Sequence, residues 1–304
     1  MKRRERKMRL KKLVAIMATV AMTMSIAAGC GNGGEGDGVA EFDTSYDISV
    51  ITREDGSGTR SAFIELFGIE QKDESGEKVD YTTEEAITMN STSAVMSTVA
   101  GDEYAIGYVS LGSLNDTVKA LKVDGAKATE ENIKAGTYKV ARPFNIATKG
   151  ELSEVAKDFM DFILSTEGQA VVSENGYIAL DGVEPYAGNK PAGKVVVAGS
   201  SSVSPVMEKL KEAYMEMNPG ADIEIQTNDS STGMSMTSEG TCDIGMASRE
   251  LKEAEIADGL VGTVIATDGI AVIVNHANTL DDIAAEDVKN IYVGDAITWD
   301  EIIK

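Results

Sequence analysis

Three short stretches combine glycine with hydroxyl side chains in a pattern that suits the binding of an anion. They are DGSGT at 55–59, GSSSVSP at 199–205 and NDSSTG at 228–233. Each follows a strand-like apolar run and precedes a helical pattern. A helix N-terminus offers free N–H donors and about half a positive charge. Arg53 stands just before the first stretch, and its planar guanidinium suits a tetrahedral oxyanion.

Helix capping is the alternative explanation for each stretch, because Ser and Thr are ordinary N-cap residues. Three such helix starts in one chain, one of them beside an arginine, favour an oxyanion site over capping alone.

Strands alternate with helices along the chain, which predicts an α/β fold. In such folds, ligands bind where strands end and helices begin, and all three stretches lie at such junctions. The pattern also predicts a pair of strands within 262–275, a long amphipathic helix over 153–176 that breaks near Glu167, a polar surface loop over 70–80 and a linker over 181–194.

Residues 1–29 are predicted to be a lipoprotein signal peptide, with a basic start, an apolar run and small residues before Cys30. Lipidation of Cys30 is expected, followed by a Gly-rich tether over 30–44. An uncleaved membrane anchor is the alternative. Residues 1–29 contain eight Lys/Arg and one Glu, so their removal changes the net charge from −22 to −29. This acidic charge argues against a nucleic-acid partner.

The sequence indicates no enzyme, and we expect no cofactor and no metal. Gly188 to Val195 nearly matches a P-loop, but Val195 replaces the Ser/Thr that would hold Mg²⁺. Gly29 to Gly34 fits G-x-G-x-x-G only within the tether. There is no G-x-S-x-G nucleophile elbow. The single His276 excludes sites that need two histidines, and Cys242 has no partner in a lipidated monomer.

Several segments together resemble the periplasmic phosphate-binding proteins of ABC importers, the PstS family. The resemblance covers nearly all of residues 45–304 and is carried by these segments: 51–63, 105–112, 128–136, 156–180, 197–219, 223–233, 242–251 and 266–275. It implies a two-lobed periplasmic-binding-protein clamp, each lobe a mixed sheet flanked by helices, that closes on one phosphate.

Carried over residue by residue, the resemblance implies that phosphate is bound by these residues: Arg53, Ser57, Gly58, Thr59, Ser201, Ser202, Ser230 and Ser248. Asp55 would bond to Arg53 and hold it in place without contacting the phosphate. A third turn of the family corresponds to MASRE, residues 246–250, in this chain. Family members with an acidic residue in that turn use it to accept the proton of phosphate, whereas this chain has Ser248 at the matching position. Arg249 could turn toward the ligand or form a surface ion pair, and the pair is favoured. Arg60 is expected to be solvated.

The order of the segments is reversed relative to the family, which indicates a circular permutation. The segment 181–194 would join the former C-terminus to the former N-terminus. One lobe would be built from 45–148 plus 268–304 and the other from 149–267. The alternatives are a truncated tandem or an incorrect gene end. Domain termini often lie close together at the surface, so permutation is physically tolerated.

The expected function is that of an extracytoplasmic lipoprotein, anchored to the cell membrane, that binds inorganic phosphate and delivers it to an ABC permease and ATPase. A clamp for sulfate, molybdate or tungstate is one alternative. A phosphate-sensing lipoprotein without a transport role is another.

Overall fold

The computed structural model of the protein describes residues 42–73 and 75–303. The predicted signal peptide, Cys30 and most of the tether therefore lie outside the described residues. The described part forms these thirteen strands: β1 Ser49–Arg53, β2 Glu70–Lys72, β3 Lys78–Asp80, β4 Ile87–Met89, β5 Ala105–Ser110, β6 Lys119–Ala120, β7 Lys122–Val123, β8 Ala141–Thr148, β9 Gly193–Ser200, β10 Ala221–Asn228, β11 Ile244–Ala247, β12 Val261–Val274 and β13 Asp282–Ile283.

Helices alternate with these strands, which confirms the predicted α/β class. The α-helices within the described ranges are α1 Gly58–Leu66, α2 Thr92–Gly101, α3 Glu130–Lys134, α4 Glu154–Ile163, α5 Thr166–Glu174, α6 Ser204–Met217, α7 Ser230–Glu239, α8 Glu253–Ala257 and α9 Ala285–Val293. Short 3-10 helices cover Leu111–Ser113 and Trp299–Glu301. Every helix among residues 42–73 and 75–303 is too short or too polar to span a membrane.

The principal sheet has the strand order β10-β9-β11-β8-β12-β5-β1-β4, with β6 paired to β12. It is mixed: β9 pairs in parallel with β10 and β11, whereas β8 is antiparallel to both β11 and β12. The strand β12 connects the two halves, because Val261–Gly269 pair with β8 and Ile270–Val274 pair with β5.

Two large apolar cores give the molecule its two lobes. The first lobe is built around Phe63, Tyr108 and Trp299, and the second around Phe159 and Tyr214. The chain passes from one core to the other in two places, between Val140 and Phe144 and between Ala266 and Ile270. Phe144 and Ile146, which precede the expected lobe boundary at residue 148, pack in the second core.

Three sequence predictions about secondary structure need correction. Residues 262–274 lie in one continuous strand, β12, and not in a pair. The helix predicted over 153–176 is divided at Leu164 and Ser165 and not at Glu167, because Ser165 caps α5. The stretch 70–80 contains a short hairpin formed by β2 and β3.

The segment 181–194 has no regular structure before Gly193, but it is fixed to the second lobe. The Tyr186 hydroxyl donates to the Asp158 carboxylate, and the Asn189 amide donates to the same side chain over 3.0 Å. The Asn218 side chain donates to the Pro191 carbonyl. These bonds hold the segment along α4 and α6.

Candidate oxyanion-binding site

The three Gly/Ser stretches lie at strand-to-helix junctions, as predicted. DGSGT connects β1 to α1 in the first lobe, whereas GSSSVSP and NDSSTG connect β9 to α6 and β10 to α7 in the second lobe. Ser57, Thr59, Ser202 and Ser230 each expose 2% or less of their surface. Buried hydroxyls need partners. Those of Thr59 and Ser202 bond to each other, whereas Ser57 and Ser230 accept from backbone amides.

Direct contacts across the two lobes bring the stretches together. The Thr59 hydroxyl lies 2.8 Å from the Ser202 hydroxyl and 3.3 Å from that of Ser248. A Cβ atom placed on Gly58 would lie 2.5 Å from Ser230 Oγ and 2.8 Å from Ser248 Oγ. Only a glycine at position 58 lets the lobes approach this closely.

Arg53, at the end of β1, is 2% exposed and reaches into the same cluster. Its Nη2 donates to Ser201 Oγ over 3.1 Å, and its Nη1 donates to Thr92 Oγ1 over 3.3 Å. Glu54 holds the guanidinium with two hydrogen bonds of 2.7 Å. Such a bidentate pair fixes the orientation of the arginine.

The expectation that Asp55 holds Arg53 is wrong. The Asp55 side chain is 96% exposed and forms an ion pair with Arg60 at 2.7 Å. The backbone turns sharply at this point, since the Ser57 amide donates to the Glu54 carbonyl, and Asp55 is left at the outside of the turn. Glu54 precedes the turn and lies close enough to Arg53 to hold it.

Arg60 is also not the solvated residue that was expected. Its side chain is 15% exposed, and it donates to the Arg53 carbonyl over 2.9 Å and to Asp80 over 2.8 Å. The Ser57 hydroxyl accepts the Arg60 amide proton and so caps α1. Both residues therefore support the loop that carries Thr59.

Arg142 is a buried cation of the cluster that sequence reasoning missed. It is 4% exposed, lies in β8 and donates from Nη2 to Thr59 Oγ1 over 3.1 Å. Its Nε donates to the Ser248 carbonyl, and its Nη1 forms an ion pair with Asp268 of β12 at 2.7 Å. In the sequence, Arg142 is only an arginine at the start of a strand. Its ion pair with Asp268 depends on the register of β8 and β12, which local sequence does not show.

Thr92 and Ser200 complete the hydroxyl cluster and were also missed. Thr92 is the first residue of α2, and its hydroxyl lies 3.0 Å from that of Ser202. Ser200, the last residue of β9, donates to Ser248 Oγ over 3.0 Å. A fourth helix start rich in hydroxyls, at 90–92, is the sequence signal that could have identified Thr92.

Ser248 lies inside the cluster, whereas Arg249 turns away from it. The Ser248 amide donates to Ser230 Oγ over 3.1 Å. Arg249 forms the ion pair that was favoured, with Glu255 at 2.7 Å, but its side chain is only 6% exposed, so the pair is buried and not at the surface. It also donates to the Ser231 hydroxyl, next to the cluster.

Each buried guanidinium near the cluster has its own carboxylate. Burial raises the pKa of the Asp268 carboxyl, and the nearby Arg142 charge opposes that shift. Burial also acts to raise the pKa of Glu255, but hydrogen bonds from Arg249 and the Lys252 amide hold it below its ordinary value. The arginines can therefore be buried without leaving an uncompensated charge.

The cluster consists of hydroxyl groups, helix N-termini and guanidinium groups, which together suit an oxyanion. Among residues 42–73 and 75–303, no group of three or more His, Cys, Asp or Glu side chains could hold a metal ion. The chemistry offered by the cluster is noncovalent hydrogen bonding to a compact anion.

Comparison with known proteins first defines the class. The family model described as a PBP superfamily domain matches residues 43–167 and 184–303. A crystal structure of a phosphate ABC transporter, phosphate-binding protein, from Streptococcus pneumoniae superposes with a TM-score of 0.66 at 45% identity, covering 84% of this chain and 99% of that one.

Two curated relatives narrow the class further, and both are named phosphate-binding protein PstS 2. The protein from Streptococcus agalactiae is 52% identical over 96% of this chain and 99% of its own length. The protein from Streptococcus pneumoniae is 43% identical over 97% of this chain and 100% of its own length. The chain therefore belongs to the PBP superfamily and, within it, to the PstS family.

Proposed function

We propose that this chain is an extracytoplasmic solute-binding protein that binds inorganic phosphate and delivers it to an ABC importer. The observation that carries the proposal is the convergence of Thr59, Ser202, Ser230 and Ser248 from both lobes into one buried cluster. The names of its relatives supply the substrate and the transporter type. Binding is noncovalent, and the protein is not an enzyme.

Phosphate would be held between the lobes by the residues predicted from the sequence. Hydroxyl groups of Thr59, Ser201, Ser202, Ser230 and Ser248 contact its oxygens. The free amides at the start of α1, at Gly58 and Thr59, donate to it as well. Arg53 supplies the charge from the side of the first lobe, while Ser57 acts mainly by capping α1. Closure of the two lobes around the ligand follows the hinge type of motion.

Membrane attachment through a lipid on Cys30 remains part of the proposal. Its support is the signal-like sequence of residues 1–29 and the Gly-rich stretch that follows. The protein would act as a monomer whose clamp meets the permease at the membrane surface. Mass spectrometry of the membrane-extracted protein tests this, because a lipidated Cys30 at the mature N-terminus is expected, whereas an intact Met1 contradicts it.

The circular permutation is likewise proposed, and the arrangement of the chain ends supports it. The Ile48 amide donates to the Ile297 carbonyl over 2.7 Å, and Asp47 and Thr298 form a bridge, so both ends of the described chain lie in the first lobe. One lobe would consist of 45–148 plus 268–304, and the other of 149–267. Alternatively, β8 would belong to the second lobe.

Isothermal titration calorimetry of the purified protein with phosphate tests the proposed function. We expect saturable binding of one phosphate. The variant Arg53→Ala removes a buried charged donor and should weaken binding by about a hundredfold or more. Lys209→Ala, at an exposed ion pair on α6, is the matched control and should bind as the wild type does. Absence of phosphate binding in the wild type would overturn the proposal.

A further inference from the structure

A backbone hydrogen bond joins the two lobes beside the hydroxyl cluster. The Ser231 amide, in the first turn of α7, donates to the Gly56 carbonyl over 3.1 Å. Gly56 lies in the first-lobe loop between β1 and α1, whereas Ser231 belongs to the second lobe. Because each partner belongs to a different lobe, this bond can form only when the lobes have closed.

The bond to Gly56 gives the start of α7 a role that differs from that proposed for α1. Free amides at a helix N-terminus can donate to an anion. In α7, however, the Ser231 amide donates to the other lobe, and the Thr232 amide donates to Asp229 Oδ1 over 2.8 Å. The first turn of α7 therefore uses one amide to bind the opposite lobe and another to accept its own cap.

The close approach of the lobes at this contact requires a glycine at position 56. A Cβ atom placed on Gly56 would overlap Asp229 Oδ1 and lie 2.6 Å from Asp229 Cγ. The Asp229 carboxylate is held where it is, because its oxygens accept from the Thr232 amide over 2.8 Å and from the Thr232 hydroxyl over 2.6 Å. Moving it aside would remove the cap of α7.

The backbone conformation of Gly56 does not itself require glycine. Its φ is not positive, so an alanine can adopt the same conformation. When the lobes are apart, Asp229 no longer lies against position 56. Gly56→Ala should then leave the ligand-free fold as stable as the wild type or slightly more so, because alanine restricts the unfolded chain. A binding defect in this variant would therefore arise from closure and not from folding.

We infer that Gly56 is a positioning residue for ligand binding, which sets the phosphate affinity by allowing the lobes to meet at Ser231 and not through a bond to the ligand. The inference rests on the proposed function. A contact that forms after the ligand has entered slows its release and leaves its rate of association unchanged. Loss of the contact lowers the apparent affinity in proportion to the fraction of protein that can close.

Calorimetry with phosphate and rapid-filtration kinetics with radiolabelled phosphate test the inference in Gly56→Ala. We expect an affinity about tenfold weaker, with release faster by the same factor and association unchanged. Urea unfolding without phosphate should show no loss of stability. Gly101→Ala, where the added methyl group meets open space, is the matched control and should release phosphate as the wild type does. Wild-type affinity and release in Gly56→Ala would overturn the inference but leave the proposed function standing, whereas absence of phosphate binding in the wild type would overturn both.

A rescue experiment at Asp229 separates closure from a general defect of the loop. Asp229→Gly removes the atoms that the new methyl group would overlap, and glycine is tolerated as an N-cap residue. We therefore expect the double variant Gly56→Ala/Asp229→Gly to bind phosphate within about threefold of Asp229→Gly alone. If the two substitutions instead weaken binding additively, overlap with Asp229 is not the cause of the defect and the inference fails.

Discussion

Arg142 of β8 and Asp268 of β12 lie directly opposite each other in the two strands that connect the lobes, and their side chains form an ion pair of 2.7 Å. The Asp268 side chain is fully buried and that of Arg142 is 3% exposed. Because Arg142 also donates to Thr59, this pair links the connection between the lobes to the candidate site.

Removal of the Asp268 charge should strongly destabilise the fold. Asp268→Asn leaves the Arg142 guanidinium buried without a counter-charge, which costs about 3–5 kcal/mol. Urea unfolding followed by circular dichroism measures the loss. Asp281→Asn is the matched control, since its pair with Lys119 is exposed and should contribute less than about 1 kcal/mol. Equal effects of the two substitutions would refute the role given to the buried pair.

Gly58→Ala should impair ligand binding without removing any donor. The new methyl group would overlap Ser230 Oγ and Ser248 Oγ and force the lobes apart. Overpacking of this kind costs about 1–3 kcal/mol, which corresponds to a phosphate affinity weaker by about ten- to a hundredfold. Calorimetry measures the change. Gly101→Ala, where the added methyl group meets open space, should have no effect on binding. Wild-type affinity in Gly58→Ala would exclude close approach of the lobes in the bound state.

Asp158 should fix the segment 181–194 to the second lobe. It is 7% exposed and accepts from the hydroxyls of Tyr186 and Tyr214. Asp158→Ala removes an ionised acceptor, so we expect a loss of about 2–3 kcal/mol and faster proteolysis within the segment. Asp161→Ala, an exposed position on the same helix, is the control. Unchanged proteolysis in Asp158→Ala would mean that other contacts hold the segment.

Tyr108 should make the protein sensitive to alkaline pH. Burial raises the pKa of its phenol from 10.0 to about 12, against hydrogen bonds with Thr52 and the Arg53 amide. The unfolded chain therefore releases this proton first, and stability that is complete below pH 10 is lost as pH rises toward about 12. The loss is about 2–3 kcal/mol for a shift of this size.

Chemical unfolding of the wild type, Tyr108→Phe and the exposed control Tyr81→Phe at about pH 9 and about pH 11 measures this effect. Tyr108→Phe should lose less stability between the two pH values than either of the other proteins. A decline as steep in Tyr108→Phe as in the wild type would show that other buried groups account for it.

Local patterns allowed much of the site to be predicted. The three Gly/Ser stretches could be recognised because a helix start after a strand is encoded within a few residues. Arg142 and Asp268 could not, since their contact depends on the register of two strands distant in sequence. Strand β12 shows the same limit. Asp268 and Gly269 resemble a turn in the sequence, but they pair with Arg142 and Ala141 of β8, so the strand continues through them.

The partner of Arg53 shows a finer limit of sequence reasoning. Glu54 and Asp55 are adjacent carboxylates, and either could pair with the arginine on composition alone. The turn after Glu54 decides between them, because it leaves Asp55 beside Arg60. The family resemblance identified the correct loop, but it assigned the wrong carboxylate as the partner of Arg53.

A crystal structure of the protein grown with phosphate tests the central claim most directly. We predict one tetrahedral anion between the lobes, within hydrogen-bond distance of Arg53 and of the hydroxyls of Thr59, Ser201, Ser230 and Ser248. The first turn of α1 should donate to the same anion through its amides. An anion bound elsewhere, with the hydrogen bonds of these hydroxyls unchanged, would contradict the account.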